Sequence, residues 1–257
     1  MSGKNREKQQ EAKQQKREEK QAHMVADSER KHQSHFNLDW FQPTEIQQEI
    51  LISYYSNDLT AVQGSSGTGK STTVIHAALT DLKERRFNKI VFCKTPAELG
   101  DDKIGFLSGS ATEKLEMHFA AMRSIFHTFM TKEKLRMEEA NGHIEFTIPN
   151  FIAGCTIDNA IFVLDEAQLL STKTTKLLLE RAGENCKVVM LGDKSQTYAC
   201  KTRTDGFTDF VGRITKVDED GNRVSTQPTM GYVEMKACDN MRSDLSRRVV
   251  ELYEADC

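Results

Sequence analysis

The chain has 257 residues, of which 38% are hydrophobic and 28% are charged, and its net charge is −3. This is an ordinary globular composition, with no apolar run near the roughly 18 residues of a membrane span and no global basic signature of nucleic-acid binding. The first residues lack an apolar signal segment, and the six cysteines show no paired short spacing. We therefore expect no membrane contact, no zinc site, and reduced thiols in the cytoplasm, or in the host cytoplasm if a phage encodes the chain.

Residues 1–35 form a charged segment of low complexity with almost no large apolar side chains. Such a composition cannot bury a core, so we expect this tail to be disordered or a lone solvated helix. A second interpretation is a basic arm that contacts nucleic acid, which the interspersed glutamates weaken. The folded domain is then expected to cover residues 36–257.

A helix is expected to begin after Thr44 and to run to about Tyr55. Thr44 is a suitable N-cap, and Gln47 stands three residues further on, which is the spacing of a capping box. A functional interpretation of Gln47 is a contact with the adenine of a nucleotide, because it lies shortly before a phosphate-binding motif. The two interpretations do not exclude each other.

The segment from Gly64 to Ser71 is a complete nucleoside-triphosphate-binding motif. It follows an apolar run at 59–62, expected to be a strand, and precedes a helix expected over 72–79, which is the context that the motif requires. Its glycines let backbone N–H groups point at phosphate oxygens, while Lys70 reaches the β- and γ-phosphates and the Ser71 hydroxyl ligates Mg²⁺. The predicted nucleotide-binding residues are Gln47, Gly64, Ser65, Ser66, Gly67, Thr68, Gly69, Lys70, Ser71 and Thr72.

Several elements are expected before the next functional motif. Residues 89–93 form a second strand, 100–109 a loop, and 144–149 an extended segment. One face of a helix that begins near Leu115 is marked by apolar residues at helical spacing, namely Phe119, Met122, Phe126 and Phe129.

Two carboxylates follow a continuous apolar run at 160–164, which is typical of a buried parallel strand. The carboxyl end of such a strand is where open α/β sheets place their ligands. Asp165 is expected to hold the Mg²⁺ shell, and Glu166 to activate the attacking water. The alternative is an exposed acidic turn, which the phosphate motif upstream makes much less attractive.

A third strand at 187–191 leads into Gly192, Asp193 and, three residues later, Gln196. Gln196 is our candidate for sensing or positioning the water beside the γ-phosphate, while the simpler interpretation is a Gly-Asp turn. Further on, 217–224 is expected to be a hairpin around an Asp-Gly turn, and 243–254 a closing helix.

Together these motifs indicate a helicase-like ATPase of the RecA class, built as a single α/β domain with a parallel sheet flanked by helices. Monomeric helicase motors close two such lobes on one nucleotide, and about 220 residues suffice for only one. We therefore expect that any motor made from this chain uses the surface of a neighbouring copy.

The motifs resemble those of the PhoH-like, phosphate-starvation-inducible type of P-loop ATPase found in bacteria and tailed phages. The resemblance covers roughly residues 40–254 and includes both motifs above. Further matches lie at Pro43-Thr44, Thr95-Pro96, 104–109, 156–159, 192–196 and 241–245.

The resemblance implies an ATP- and Mg²⁺-dependent protein that forms homo-oligomers, with a hexameric ring as the implied size, linked to RNA or single-stranded DNA. It also implies that Arg242 reaches the γ-phosphate, from its own chain or from a neighbour. The alternative for Arg242 is a residue at the start of a helix that pairs with Asp239 or Asp244.

The chain departs from the family pattern at four positions. The family usually carries arginine at Thr95, Ala153 and Cys155 and asparagine at Leu169. Lys94 is a candidate to replace the first arginine. If the missing arginines hold nucleic-acid phosphates, this chain binds nucleic acid more weakly than its relatives.

The leading hypothesis is Mg²⁺-dependent ATP hydrolysis. Its predicted catalytic residues are Lys70, Asp165, Glu166, Gln196 and Arg242, with Ser71 and Asp165 as metal ligands. The alternative is an ATP-gated binding or assembly module with little turnover of its own. A small-molecule kinase is less favoured, because arginines of a lid around the phosphates are missing. The physiological substrate stays open.

Overall fold

The computed structural model describes residues 35–96, 111–152, 154–196 and 205–254. The tail predicted over residues 1–35 lies outside these ranges except for its last residue. The loop predicted at 100–109 and the family position Ala153 lie outside them as well.

A six-stranded sheet forms the centre of the domain, and every pair of neighbouring strands in it is parallel. The strands in chain order are β1 (Leu59–Gln63), β2 (Lys89–Lys94), β3 (Ile144–Thr147), β4 (Ala160–Asp165), β5 (Cys186–Gly192), β6 (Thr215–Val217), β7 (Arg223–Ser225) and β8 (Met230–Glu234). The order across the sheet is β3-β2-β4-β5-β1-β8. Strands β6 and β7 pair separately as the antiparallel hairpin predicted from the sequence, and Gly221 in its turn has a φ of 84°.

Eight α-helices are described, and they cover both faces of the sheet. They are α1 (Glu45–Ser56), α2 (Lys70–Lys83), α3 (Ala111–Phe126), α4 (Lys132–Ala140), α5 (Pro149–Ile152), α6 (Thr172–Leu179), α7 (Gly206–Ile214) and α8 (Asp244–Glu254). Short 3₁₀ turns follow three of the strands, at Ala167–Leu169, Lys194–Gln196 and Ala237–Asp239. None of the helices in the described ranges is long and apolar enough to cross a membrane.

The central strands are short apolar runs because side chains on both of their faces are buried. In β4, Ile161 and Val163 pack into the cluster beneath α1 to α4, whereas Phe162 and Leu164 pack into the cluster beneath α6 and α7. The prediction of an α/β domain with a parallel sheet flanked by helices is therefore confirmed.

Element boundaries differ slightly from the predictions. The helix after the phosphate motif covers Lys70–Lys83 rather than 72–79, and the helix predicted from Leu115 begins at Ala111. The capping box at the start of α1 is confirmed, because the Thr44 N–H donates to Gln47 Oε1 at 3.0 Å. Strand β8 was not predicted.

The strand order decides where the functional motifs meet. Strand β5 lies between β1 and β4, and its last residue, Gly192, is paired with Gln63 at the end of β1. On the other side of β4, Lys94 is paired with Asp165. The carboxyl ends of four strands thus form one edge of the sheet, where doubly wound folds place their ligands.

Candidate active site

A cavity of about 570 Å³ opens at this edge of the sheet. It is lined by residues from every predicted functional motif, namely Gln47, Ser66, Gly67, Gly69, Lys70, Ser71, Thr72, Asp165, Glu166, Gln196 and Arg242. Three further motif residues, Gly64, Ser65 and Thr68, are not part of the lining. Ser65 and Thr68 are buried, and the Thr68 hydroxyl donates to the Ser65 carbonyl at 2.9 Å, which holds the loop in shape.

The phosphate loop needs glycine at two positions because of its backbone conformation. Gly67 and Gly69 have φ angles of 89° and 86°, which side-chain-bearing residues rarely adopt. Gly69 is also close to α1, since a Cβ built there lies 2.6 Å from Gln47 Nε2. A side chain at position 69 would therefore be strained by the backbone and would also displace the Gln47 amide.

Lys70 lies at the base of the phosphate loop. Its ammonium group donates hydrogen bonds to the carbonyl oxygens of Gly64 and Ser65, the latter at 2.8 Å. Burial lowers the Lys70 pKa, and the negative charges of Asp193, Asp165 and Glu166 oppose that effect. The lysine is therefore held inside the loop and faces the carboxylates.

Both predicted carboxylates are paired with one lysine. Lys94 Nζ lies 2.7 Å from Asp165 Oδ2 and 3.2 Å from Glu166 Oε1. Burial alone disfavours the charged lysine, but the two carboxylates outweigh it and raise the Lys94 pKa. Lys94, which the sequence suggested as a substitute for a family arginine, thus contacts the acidic pair within the cavity.

Glu166 is fixed by its backbone and by its neighbours. Its φ of 56° and ψ of 42° are left-handed, a conformation that is uncommon for residues other than glycine and recurs at functional sites. Burial favours its neutral form, but the charge of Lys94 and a hydrogen bond from Gln168 outweigh this and lower the Glu166 pKa. The carboxylate is thus ionised at neutral pH.

Gln168 connects two motifs and received no role in the sequence analysis. Its side chain is buried, and Nε2 donates to Glu166 Oε2 at 2.8 Å while Oε1 accepts the Asp193 N–H at 3.1 Å. It therefore links the end of β4 to the end of β5. Its place in the run from Asp165 to Gln168 was visible in the sequence, but the partner on β5 was not.

Gln196 lies in the 3₁₀ turn after β5 and lines the cavity. Its backbone N–H donates to the Asp193 carbonyl at 3.2 Å. The turn that we considered as the simpler interpretation is therefore present, and it brings the Gln196 side chain to the cavity as well. Its role in positioning water stays a prediction.

Residues Asn240, Met241 and Arg242, here called the C-terminal strap, are bound to the phosphate loop. Asn240 Nδ2 donates to the Ser66 carbonyl and the Met241 N–H to the Gly67 carbonyl, both at 2.9 Å. The Arg242 stem packs on Gly67, since a Cβ built on this glycine lies 3.0 Å from Arg242 Cγ. Arg242 therefore lies at the cavity of its own chain, and the contribution of Asn240 was missed by the sequence analysis.

The alternative partners proposed for Arg242 are engaged elsewhere. Asp244 lies 3.8 Å from Arg247, and Asp239 accepts the Lys236 N–H at 2.7 Å. Within the described residues the Arg242 guanidinium forms no ion pair with either aspartate, so the structure does not support that alternative.

Gln47 is buried, with 2% of its surface exposed, and its amide has several partners. Besides the capping contact, Nε2 lies 3.4 Å from the Thr68 carbonyl and 3.3 Å from Met241 Sδ. Gln47 thus joins α1, the phosphate loop and the strap. Its contact with an adenine stays a prediction.

The cavity offers oxygen ligands suited to Mg²⁺. The Ser71 hydroxyl and the Asp165 carboxylate both line it. In the described ranges, no cluster of three or more His, Cys, Asp or Glu side chains is arranged to hold a metal. Mg²⁺ fits this donor set, because it commonly binds through one or two protein oxygens and completes its shell with phosphates and water.

Comparison with known proteins identifies relatives over most of the chain. The family described as PhoH-like protein matches residues 42–254. A PhoH-like protein of Bacillus subtilis (strain 168) is 26% identical over 208 residues, which cover 81% of this chain and 62% of that protein. Protein PhoH of Escherichia coli (strain K12) is 28% identical over 214 residues, which cover 81% of this chain and 56% of that protein. The chain thus spans less than two thirds of the length of these relatives.

Among solved structures, the large terminase ATPase domain of Thermus phage P74-26 aligns with a TM-score of 0.47 and 15% identity. The alignment covers 79% of this chain and 84% of that domain.

Proposed function

The chain belongs to the PhoH-like protein family, and on that premise we propose that it is a P-loop ATPase that hydrolyses ATP with Mg²⁺. The observation that carries the proposal is the geometry of Glu166. This carboxylate lies in the same cavity as the phosphate loop, and Lys94 and Gln168 fix it from two sides. Such a fixed, ionised carboxylate is suited to orient and deprotonate a water molecule.

Orientation matters more than basicity for this reaction. The lowered pKa of Glu166 makes it a weak proton acceptor, but phosphoryl transfer depends mainly on positioning and on charge stabilisation. The hydrogen bond from Gln168 and the left-handed backbone at Glu166 both restrict where its oxygens lie. Glu166 then receives the proton of the attacking water as the bond from the water oxygen to the γ-phosphorus forms and the bond from this phosphorus to the bridging oxygen breaks, which releases ADP.

The cations of the cavity neutralise charge on the transferring group. In this proposal Lys70 leaves the loop carbonyls to contact the β- and γ-phosphates, and Arg242 approaches from the strap. Ser71 and Asp165 would hold Mg²⁺, which would neutralise negative charge on the phosphates. Lys94 already pairs with Asp165, so this ion pair would have to rearrange if Asp165 were to hold a metal.

We also propose that the chain acts as a homo-oligomer on RNA or single-stranded DNA. An assembly would supply the second surface that a motor needs to close on its nucleotide. Helix α8 adds support through an exposed apolar stripe, in which Leu245 and Leu252 are 73% and 69% exposed. Stripes of this kind often mark contacts between proteins.

A second candidate function is an ATP-gated assembly module with little turnover. The C-terminal strap favours it, because the strap joins the phosphate loop directly to the start of α8. A nucleotide that reshapes the loop would then change the surface that α8 presents, whether or not ATP is hydrolysed.

ATP binding and hydrolysis, measured with and without single-stranded RNA, test the proposal. We expect Lys70→Ala to lose ATP binding, and Glu166→Gln to bind ATP normally while turnover falls by about 10²-fold or more. RNA is expected to stimulate the wild-type protein only. If the wild-type protein binds ATP but turns over no faster than Glu166→Gln under either condition, the enzyme is excluded and the assembly module is favoured.

A further inference from the structure

The cavity continues beyond the phosphate-binding residues into an aromatic lobe, formed by Trp40, Phe41, Gln42 and Ile125. None of these four side chains is charged. Phe41 is buried, whereas Trp40 is 46% exposed although it is a large aromatic residue. The catalytic set proposed above does not use this lobe.

Trp40 makes two specific contacts in spite of its exposure. Its ring stacks on Phe129 with centroids 5.4 Å apart and planes inclined by 27°, and its Nε1 donates to the Thr128 carbonyl at 3.1 Å. The indole N–H and one region of the ring are therefore occupied by the protein. Part of the remaining exposed surface lines the cavity and offers a flat aromatic contact.

The lobe lies where the nucleoside part of a bound nucleotide has to go. Phe41 stacks on His76 with centroids 4.6 Å apart, and His76 lies on α2 one helical turn beyond Thr72. Backbone N–H groups near Ser71 and Thr72 suit the α-phosphate in motifs of this type. The proposed function puts the γ-phosphate beside Asp165 and Glu166, so we expect the nucleobase at the lobe, which contacts α2 beyond the phosphate loop.

The chemistry of the lobe matches a base rather than a further phosphate or a metal. Burial lowers the His76 pKa, so the ring beneath Phe41 is neutral at neutral pH and adds no positive charge. Aromatic side chains bind bases by stacking, which is worth about 1–3 kcal/mol per base. The Gln42 side chain is exposed at the same place and offers an amide to the edge of the base.

We propose that Trp40 stacks on the nucleobase of the bound nucleoside triphosphate and thereby selects a nucleotide over a bare polyphosphate. This inference rests on the proposed function, because it takes the phosphate loop as the site of the triphosphate. It assigns base binding to the segment before α1, and Trp40 rather than Gln47 supplies the main contact.

Calorimetric titration of the full chain with Mg²⁺-ATP and with Mg²⁺-tripolyphosphate tests the proposal. For Trp40→Ala we expect ATP affinity to fall by about 5- to 150-fold, the range that stacking supplies, with tripolyphosphate affinity unchanged within about twofold. Trp40→Phe should retain most of the ATP affinity. Tyr55→Ala is a matched control, because Tyr55 is also 46% exposed but lies outside the cavity lining, and it should change neither affinity.

Two outcomes of these titrations overturn the proposal. If Trp40→Ala lowers the affinity for both ligands equally, Trp40 acts through the shape of the phosphate loop. If it lowers neither affinity, the nucleobase lies elsewhere.

Lys70→Ala separates this inference from the proposed function. If that variant binds neither ligand, the assignment of the phosphate loop is supported. If its affinity for both ligands is unchanged, the assignment of the loop is overturned, and Trp40→Ala still decides whether the nucleobase stacks on Trp40.

A second measurement needs no variant, so it does not depend on whether Trp40→Ala folds. Trp40 is the only tryptophan of the chain, and its emission therefore reports this one ring. Saturating Mg²⁺-ATP should quench or shift the emission, and saturating Mg²⁺-tripolyphosphate should leave it nearly unchanged. Emission that responds to neither ligand, or to both equally, contradicts stacking of the base on Trp40.

Discussion

Lys94 contacts Asp165 and Glu166 at once, and so the charge of one side chain influences both the proposed metal ligand and the proposed base. Glu166 is held in its ionised form by this lysine, by Gln168 and, more weakly, by Lys70. Burial, in contrast, favours the neutral form of Glu166 and so acts to raise its pKa. Removal of the lysine should therefore let burial raise the Glu166 pKa.

We predict that Lys94→Met shifts the acidic limb of the pH profile of kcat/KM for ATP to higher pH. Glu166 has to be ionised to accept a proton from water, and a raised pKa means that a higher pH is needed to ionise it. Lys94→Arg is the control, since it keeps the positive charge and should keep the limb near its wild-type position. An unchanged limb in Lys94→Met would show that Glu166 is not the group whose titration is observed.

Gln168 is a positioning residue, because it contacts Glu166 and the Asp193 backbone. We predict that Gln168→Leu lowers kcat by on the order of 10- to 100-fold and changes ATP affinity by less than about threefold. Steady-state kinetics together with calorimetric ATP binding measure the two effects. Gln48→Leu, at an exposed position on α1, is the control and should change neither kcat nor ATP affinity. A rise in KM at constant kcat would instead place Gln168 in nucleotide binding.

Helices α1 and α2 are joined by a buried polar contact as well as by apolar packing. The Tyr54 hydroxyl donates to Asp81 Oδ2 at 2.8 Å, and Arg86 reaches the other oxygen of this carboxylate at 3.0 Å. Burial raises the Asp81 pKa, while these hydrogen bonds and charges favour the ionised form. The contact helps to fix α1, which carries Gln47, against the helix that begins the phosphate site.

Tyr54→Phe is predicted to lower the free energy of unfolding by about 2 kcal/mol, because a hydrogen bond to a charged group is lost in a buried place. Urea unfolding gives the difference from the shift of the midpoint at constant slope. Tyr55→Phe is the control on the exposed side of the same helix. Equal midpoints for Tyr54→Phe and the wild-type protein would mean that Arg86 alone satisfies Asp81.

The elements that the sequence predicted well are those that a short stretch of neighbouring residues specifies. Strands β1, β2, β4 and β5 are continuous apolar runs, and the phosphate motif lies between β1 and α2 as expected. The same holds for the hairpin of β6 and β7, whose turn contains Gly221. In these cases, a few neighbouring residues contain all the information that is needed.

Elements that depend on distant partners were missed. Strand β8 has five residues and lies beside β1, with Val233 paired to Val62. Its Gly231 is required by α1, because a Cβ there would lie 2.0 Å from Ser53 Oγ. Asn240 was overlooked for the same reason, since its link to the phosphate loop is a hydrogen bond to a residue 174 positions earlier.

At the scale of the whole molecule, the position of Arg242 bears on whether one chain can form a complete site. The sequence left open whether this arginine serves its own chain or a neighbour. Its stem packs on Gly67 of its own phosphate loop, and the strap residues before it are hydrogen-bonded to the same loop. This arrangement favours action within one chain.

We predict that Arg242→Ala binds ATP but turns over on the order of 10³-fold more slowly, and that mixing it with Glu166→Gln restores nothing. Each mixed site would still lack one group if the arginine serves its own chain. Exchange of subunits between labelled wild-type assemblies has to be demonstrated first. Recovery of activity on mixing would place the arginine in a neighbouring subunit's site, and full activity of Arg242→Ala alone would remove it from the mechanism.

The attachment of the strap to Ser66 and Gly67 also has a consequence for how the chain matures during synthesis. The phosphate loop is translated early, but β8 and the strap, which complete its surroundings, leave the ribosome last among the elements that contact it. A nascent chain that ends before Asn240 therefore has the loop sequence without its final support. Nucleotide capture should accordingly wait until the strap has been translated, and ATP would stabilise the folded domain rather than guide the growing segment before it.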